Sequence, residues 1–286
     1  MSVEVLDRVF AEPLAERLRA TGNRGDVVLH WLGQAGFVIS TGGYRVLIDP
    51  YLSNSLAEKY RGTGTPHERM MAAPIDVREL GPVDLVLVTH HHTDHMDPAT
   101  LRPLGEANPA LKFVVPRASR AEASRRAWVT ESRLVPMDAG ETVSPLPNVA
   151  ITAIRAAHET LERDAEGCHR FLGYALTVGA TTVVHTGDTV PYPGQVEEVA
   201  RLRPDLLMLP VNGRLPERGV PGNLTLDEAI RLTIETGTPS MIAHHHGMFA
   251  FNTLPLACIE ARAAEPGLPI RVVPARAGLE VRLRAA

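Results

Sequence analysis

Nine residues, Thr89-His-His-His-Thr-Asp-His-Met-Asp97, constrain this chain more than any other feature. Four imidazoles and two carboxylates stand together in one short segment. They follow an apolar run, Leu85 to Val88, that reads as a buried strand. Neutral imidazoles and carboxylates are the ligands that borderline divalent metals prefer. Residues two apart in an extended segment project to the same side, so His90 and His92 can converge on one cation. A turn just beyond them lets Asp94 and His95 face a second cation on the other side. A polar loop of solvated histidines would explain one isolated imidazole. It does not explain alternating ligand types at the end of a strand.

The same placement recurs along the chain. The strand predicted over Val149 to Ala156 is followed by His158, that over Thr182 to His185 by Asp188, and that over Ser240 to Ala243 by His244, His245 and His246. Open α/β sheets gather their sites at strand ends in this way. Taken singly each is weak, since Asp188 could be a turn residue and His158 a surface histidine. Together with the first cluster they form a set.

Between these points, short β-branched runs alternate with a few helical patterns. Strands are expected at Val27–Trp31, Gly36–Ser40, Arg45–Ile48, Leu85–Thr89, Lys112–Val115, Tyr174–Val178, Leu206–Leu209, Ile270–Val273 and Leu279–Leu283. Gly42-Gly43 marks a hairpin. The clearest helix starts at Thr225, where Thr-Leu-Asp-Glu is a capping box and Gly237 a stop. Further helices are expected at Leu254–Ala264, Ala118–Trp128, Gln195–Leu202 and Leu14–Ala20. This order predicts layered sheet and helix in a single α/β domain over residues 1–286.

A net charge of −4 gives no basic footprint for a phosphate backbone, which argues against nucleic acid. Two cysteines cannot form a disulfide framework, the first ten residues lack signal-peptide character, and no run is long enough to span a membrane. A cytoplasmic protein acting on a small molecule, away from membranes, is the expectation; a homo-oligomer is compatible with it.

The ordered set HxHxDH, then a lone His, an Asp and a last His resembles the metallo-β-lactamase superfamily, with the matches running over most of the chain. That resemblance implies an αββα four-layer sandwich and two divalent metal ions. One would be held by His90, His92 and His158, the other by Asp94, His95 and His245, with Asp188 bridging them. Aligning Met248-Phe249 with a related segment puts the last ligand at His245, while strand alternation leaves His244, or His244 with His246, open. The segments LGQAGFVIS, LIDPYLSNS, PVNGR, GNLTLDEAI and HHHGMFAFN further resemble the ascorbate-6-phosphate lactonase-like branch. They imply opening of a lactone or ester of a small, phosphorylated or carboxylated sugar-acid-like substrate; a phosphodiesterase and a metal-binding scaffold without catalysis are the rival readings. The donor set suits Zn2+, Mn2+ or iron, and the branch resemblance tilts toward Mn2+.

A two-metal site of this kind would activate a water for attack on a carbonyl or phosphorus centre. Asp188 would hold the pair together, and Asp94 would orient the attacking oxygen or relay its proton. Asp49 and Asp97 are placed to fix imidazole tautomers, with an Asp-Pro turn as the simpler explanation of Asp49. Asn212 and Arg214 are candidate substrate contacts, and the polar stretch Ser53 to Ala73, with His67 and Arg69, is a candidate lid. Cys168-His169 is a candidate accessory pair, with a structural thiol the simpler reading.

Overall fold

The structure, a computed structural model, describes residues 3–20 and 25–285; the remainder of the expected 1–286 domain lies outside the described residues. The strands are β1 (Val3–Val9), β2 (Val27–Gly33), β3 (Gly36–Thr41), β4 (Tyr44–Ile48), β5 (Leu85–Leu87), β6 (Lys112–Pro116), β7 (Leu134–Met137), β8 (Thr142–Leu146), β9 (Val149–Arg155), β10 (Leu172–Val178), β11 (Thr181–His185), β12 (Leu206–Pro210), β13 (Ser240–His244), β14 (Arg271–Pro274) and β15 (Leu279–Ala285). The helices are α1 (Leu14–Ala20), α2 (Ser55–Lys59), α3 (Pro98–Ala107), α4 (Arg120–Ala127), α5 (Gln195–Ala200), α6 (Leu226–Glu235) and α7 (Leu256–Ala263).

One sheet runs β1-β15-β2-β3-β4-β5-β6-β7 and the other β14-β13-β12-β11-β10-β9-β8. Alternation along each strand assigns its two faces. Phe37 and Ile39 of β3 face a core shared with Ile151, Tyr174, Met208 and Ile242 of the other sheet. Val38 and Leu47 point away from it, onto Leu18 of α1 and Leu101 and Leu104 of α3. On the opposite flank Ala175, Val184 and Leu207 pack against Val199 of α5, Ile230 of α6 and Ile259 of α7. The layers are therefore helix, sheet, sheet, helix, the expected four-layer sandwich. Among the described residues no helix is long and apolar enough to cross a membrane.

Local chemistry explains most boundaries. Gly42 and Gly43 both take positive φ and close the β3–β4 hairpin, pairing Thr41 with Tyr44. The Thr225 capping box forms in full, its hydroxyl accepting from the Glu228 backbone N–H. The helix expected over Ala118–Trp128 stops when Trp128 enters the left-handed region at φ 55°. Five elements lay outside the expected set, among them α2, a short helix inside the polar stretch expected as a lid. The edge strands β1, β7 and β8 are mostly half-buried and carry too little apolar alternation to stand out. The last is α3, although Asp97-Pro98 is a regular helix start: the Asp97 carboxylate accepts from Ala99 N–H and Pro98 occupies the first turn.

Candidate metal centre

The ligand-type side chains gather at the ends of β5, β9, β11 and β13, on one rim of the sandwich. After β5 the chain turns at once, with the His95 and Met96 N–H groups donating to the carbonyl of His92. That turn separates the four ligand candidates onto two sides, as their spacing predicts.

Asp188 reaches the centre because Gly187 precedes it at φ 64°, where an added Cβ would lie 2.4 Å from the Leu172 carbonyl oxygen. The last group turns on His245. In β13, Ile242 faces the inter-sheet core and Met241 and Ala243 face the helices. His244 continues this alternation inward, stacked on His185 and edge-on to Phe37. His245 then takes φ 62°, which breaks the alternation and swings its imidazole into the centre, while His246 stacks on Trp31. Of the three open alternatives, the structure brings His245 into the cluster.

Three overlapping groups result, each with ligand atoms within 4.8 Å of one another: His90, His92 and His158; His90, His95 and Asp188; Asp94, His95 and His245. Asp188 Oδ2 lies 3.0 Å from His245 Nε2, 3.4 Å from His95 Nε2 and 3.8 Å from His158 Nε2, so it stands between the two sides. His90 Nε2, His95 Nε2 and Asp188 Oδ1 are buried without a hydrogen-bond partner in the protein. Native proteins rarely leave such atoms unmatched. Convergent unmatched nitrogen and oxygen donors are what a divalent cation requires, so these residues fit the metals implied by the resemblance.

Electrostatics agree. Burial opposes charge on His95, yet Asp188, Asp49 and Asp94 outweigh it and hold its pKa well above the ordinary value. The carboxylate of Asp188 is desolvated too, and His245 and His95 more than compensate, holding it well below the usual range. Burial drives His90 well down and His92 to about 4, with His158 also lowered. The site is thus a nest of carboxylates that demands positive charge beside imidazoles that stay neutral, as metal ligands must.

The supporting shell is specific. Asp49, fully buried at the end of β4 and at φ 44°, accepts from Thr89 N–H and Thr89 Oγ1–H and lies 2.7 Å from His95 Nδ1. His158 Nδ1 lies 3.1 Å from the carbonyl oxygen of Gly222. Asp97 touches no histidine; it caps α3 and accepts from Ser55 and Thr100. Asn212 is held by Asn252 and Asn223, and only Asn252 of the three reaches the cavity. The expectation for Arg214 needs correction: its guanidinium forms a bidentate pair with Glu228 of the capping box at 2.6 and 2.7 Å, away from the cavity. Cys168-His169 also stays outside the cavity, with His169 on Asp138 at 2.8 Å.

A cavity of about 310 Å³ opens over the ligands. Leu56, Tyr60 and Phe249 form its apolar wall with the His67 ring beside them, and Lys59 and Arg126 stand at its rim. The stretch expected as a lid contributes much of that wall. It contains α2 and is seated by Tyr51, Leu56, Met248 and Phe249 packing together. His67 stacks on Tyr60 with ring centroids 4.2 Å apart and meets Phe249 and Phe251 edge-on. Arg69 is turned inward, donating to the carbonyls of Tyr51, Ser53 and Met71, so it braces this stretch from within. Two contributors escaped the sequence reading as site residues, the carbonyl of Gly222 and the side chain of Gln34. Gln34 lies in the LGQAGF segment, flanked closely by Gly33 and Gly36, and no ligand-type chemistry marks it.

Comparison with known proteins bears on the fold and the family. A family model described as Beta-lactamase superfamily domain matches residues 44–246, from β4 to the last histidine group. UPF0173 metal-dependent hydrolases from Polynucleobacter asymbioticus and Myxococcus xanthus are 27% and 28% identical to this chain. Those alignments cover 94% and 82% of it, and 90% and 76% of the relatives. Among solved structures, an isothiocyanate hydrolase from Delia radicum gut bacteria superimposes with a TM-score of 0.71 at 22% identity, covering 88% of this chain and 98% of its own. Igni18, a metallo hydrolase from Ignicoccus hospitalis, gives a TM-score of 0.67 at 17% identity, covering 91% and 100%. At such identities the structural likeness concerns the fold.

Proposed function

Since the chain belongs to the beta-lactamase superfamily domain family and has the metallo-β-lactamase fold, we propose that it is a metal-dependent hydrolase that opens a lactone or ester of a small anionic substrate. The observation that carries this reading is the interlocked donor set at the floor of the cavity, where Asp188 stands between two groups of histidines. Two divalent cations in those groups would supply Lewis acidity and lower the pKa of a bound water toward neutrality. The protein's own part is positional. His90, His92 and His158 form one side and Asp94, His95 and His245 the other, while Asp188 spans them. Asp94, half-buried and lining the cavity, is placed to orient the attacking water or relay its proton.

The cavity supports a small substrate, since about 310 Å³ lies at the lower end of the range for small-molecule sites. Its wall of Leu56, Tyr60 and Phe249 suits the carbon skeleton of a compact ring, and Lys59 at the rim suits a carboxylate or phosphate on it. The curated relatives named as metal-dependent hydrolases support the general activity and leave the substrate open.

The test is a matched panel of lactones, carboxylic esters and phosphodiesters, each in anionic and neutral forms, assayed with the protein loaded with Mn2+ or Zn2+. Turnover of the anionic lactones or esters is expected. Turnover of phosphodiesters alone would overturn the lactone reading in favour of phosphoryl chemistry, and no turnover with full metal content would favour a scaffold.

A further inference from the structure

The two sides of the centre are not assembled alike. His90 and His92 come from the first sheet and His158 from the second, and the last is braced by a carbonyl of its own half of the chain, that of Gly222. Asp94 and His95 also come from the first sheet, and their partner His245 from the second. Here one residue touches both contributors. Gln34, in the turn between β2 and β3, donates its side-chain amide to Asp94 Oδ2 at 2.9 Å. Its backbone carbonyl accepts from the His245 N–H at 2.9 Å, and its Nε2 lies 3.3 Å from His245 Nε2.

The surroundings hold Gln34 in that place. It is 1% exposed and sits at φ 51°, a conformation that turns side chain and carbonyl toward the centre together. The same carbonyl accepts from Trp31 Nε1–H at 3.0 Å, and Trp31 stacks on His246 beside the ligand. Gly33 and Gly36 allow the turn to lie this deep. An added Cβ at Gly33 would meet the Met248 side chain at 2.7 Å, and one at Gly36 the Asp49 carbonyl at 3.0 Å. A carboxylate can only accept, so the amide nitrogen is the atom that must face Asp94. The Oε1 atom is left buried without a protein partner, a cost accepted to keep the donor aimed at the carboxylate.

We propose that Gln34 is the positioning residue of the Asp94–His95–His245 half-site, and that its amide sets the affinity of that half-site for its metal without affecting the His90–His92–His158 half-site. An N–H donated to a ligating carboxylate fixes which oxygen lone pair is offered to the cation, and loss of such outer contacts typically weakens a metal by about 10- to 100-fold. The inference concerns metal binding, so it stands or falls independently of the substrate.

The test is Zn2+ retention by the full-length protein loaded with two equivalents and challenged with a graded series of a chromogenic chelator. The variants are Gln34→Met, which keeps the length and the backbone carbonyl but removes the donor, and Gln34→Ala. Release in two phases is expected from the wild type. In Gln34→Met one of the two phases should shift by about 10- to 100-fold while the other is unchanged. His158→Ala should shift the opposite phase, and the double variant both. Gln34→Ala, which also removes packing, should lose at least as much as Gln34→Met, with far-UV circular dichroism confirming that both are folded. A single phase in the wild type, equal weakening of both phases, or wild-type retention by Gln34→Met would overturn the proposal.

Discussion

The carboxylate of Asp49 lies 2.7 Å from Nδ1 of His95, both side chains wholly removed from solvent, so the far nitrogen of that imidazole is turned into the metal centre. The same carboxylate receives the Thr89 hydroxyl and N–H, which ties the ligand-bearing turn to the end of β4. Asp49→Ala should therefore weaken metal binding by about 10- to 100-fold, and Asp49→Asn should do nearly as much by mis-setting the tautomer. Chelator competition on folded protein measures it. Unchanged affinity in both variants would show that Asp49 acts only as a turn residue.

Gly222 offers a second check on the same principle. Its carbonyl braces His158, and a Cβ there would fall 1.9 Å from the Cβ of Arg214. Gly222→Ala must push the 213–223 segment away, taking with it Val220 and Pro221 of the cavity wall. Both a higher KM and weaker binding of one metal are expected. A variant with wild-type KM and metal content would mean that the segment repacks without disturbing the imidazole.

Arg214 should behave in the opposite way. Its bidentate pair with Glu228 is partly exposed and lies outside the cavity. Exposed pairs contribute about 0–1 kcal/mol, so Arg214→Ala should shift the melting temperature by only a few degrees and leave kcat/KM within about twofold. A large fall in kcat/KM with stability intact would restore the substrate contact that its place in the PVNGR segment suggests.

These cases show what the sequence made legible. Every candidate ligand was visible, because ligand-type residues at strand ends are chemically distinctive. So was the layering, since buried strands and capped helices such as α6 announce themselves locally. The choice among His244, His245 and His246 was not, because strand alternation points to His244 and only the left-handed backbone at His245 reverses it. Asp97 and Arg214 misled for a related reason. A carboxylate or guanidinium has several uses: Asp97 caps the helix that begins at the next residue, and Arg214 pairs with Glu228 of a neighbouring helix start, and neither use is distinguished by residue type alone. Gln34 was invisible as a site residue because an amide carries no signature until Asp94 and His245 are brought beside it.

The imidazoles also dictate how the metal-free protein responds to acid. His92 falls to about 4 and His90, His158, His185 and His244 are lowered, in each case chiefly through burial. In the unfolded chain each titrates near 6.5. Below that value the unfolded state binds more protons than the folded one, so stability falls as pH falls. His95 works the other way. Its raised pKa adds stability that is fully present below about 6.5 and is lost only as pH rises through the folded value. The lowered group is the larger, and the metal-free protein should lose thermal stability progressively from about pH 7 to pH 5. Bound metal competes with the same protons, so the loaded protein should resist until the ligands are displaced, and should then lose metal and stability together. Differential scanning calorimetry of both forms at each pH, with metal content measured in parallel, makes the comparison. A metal-free melting temperature that is flat or rising toward pH 5 would contradict the neutral, buried state of these histidines.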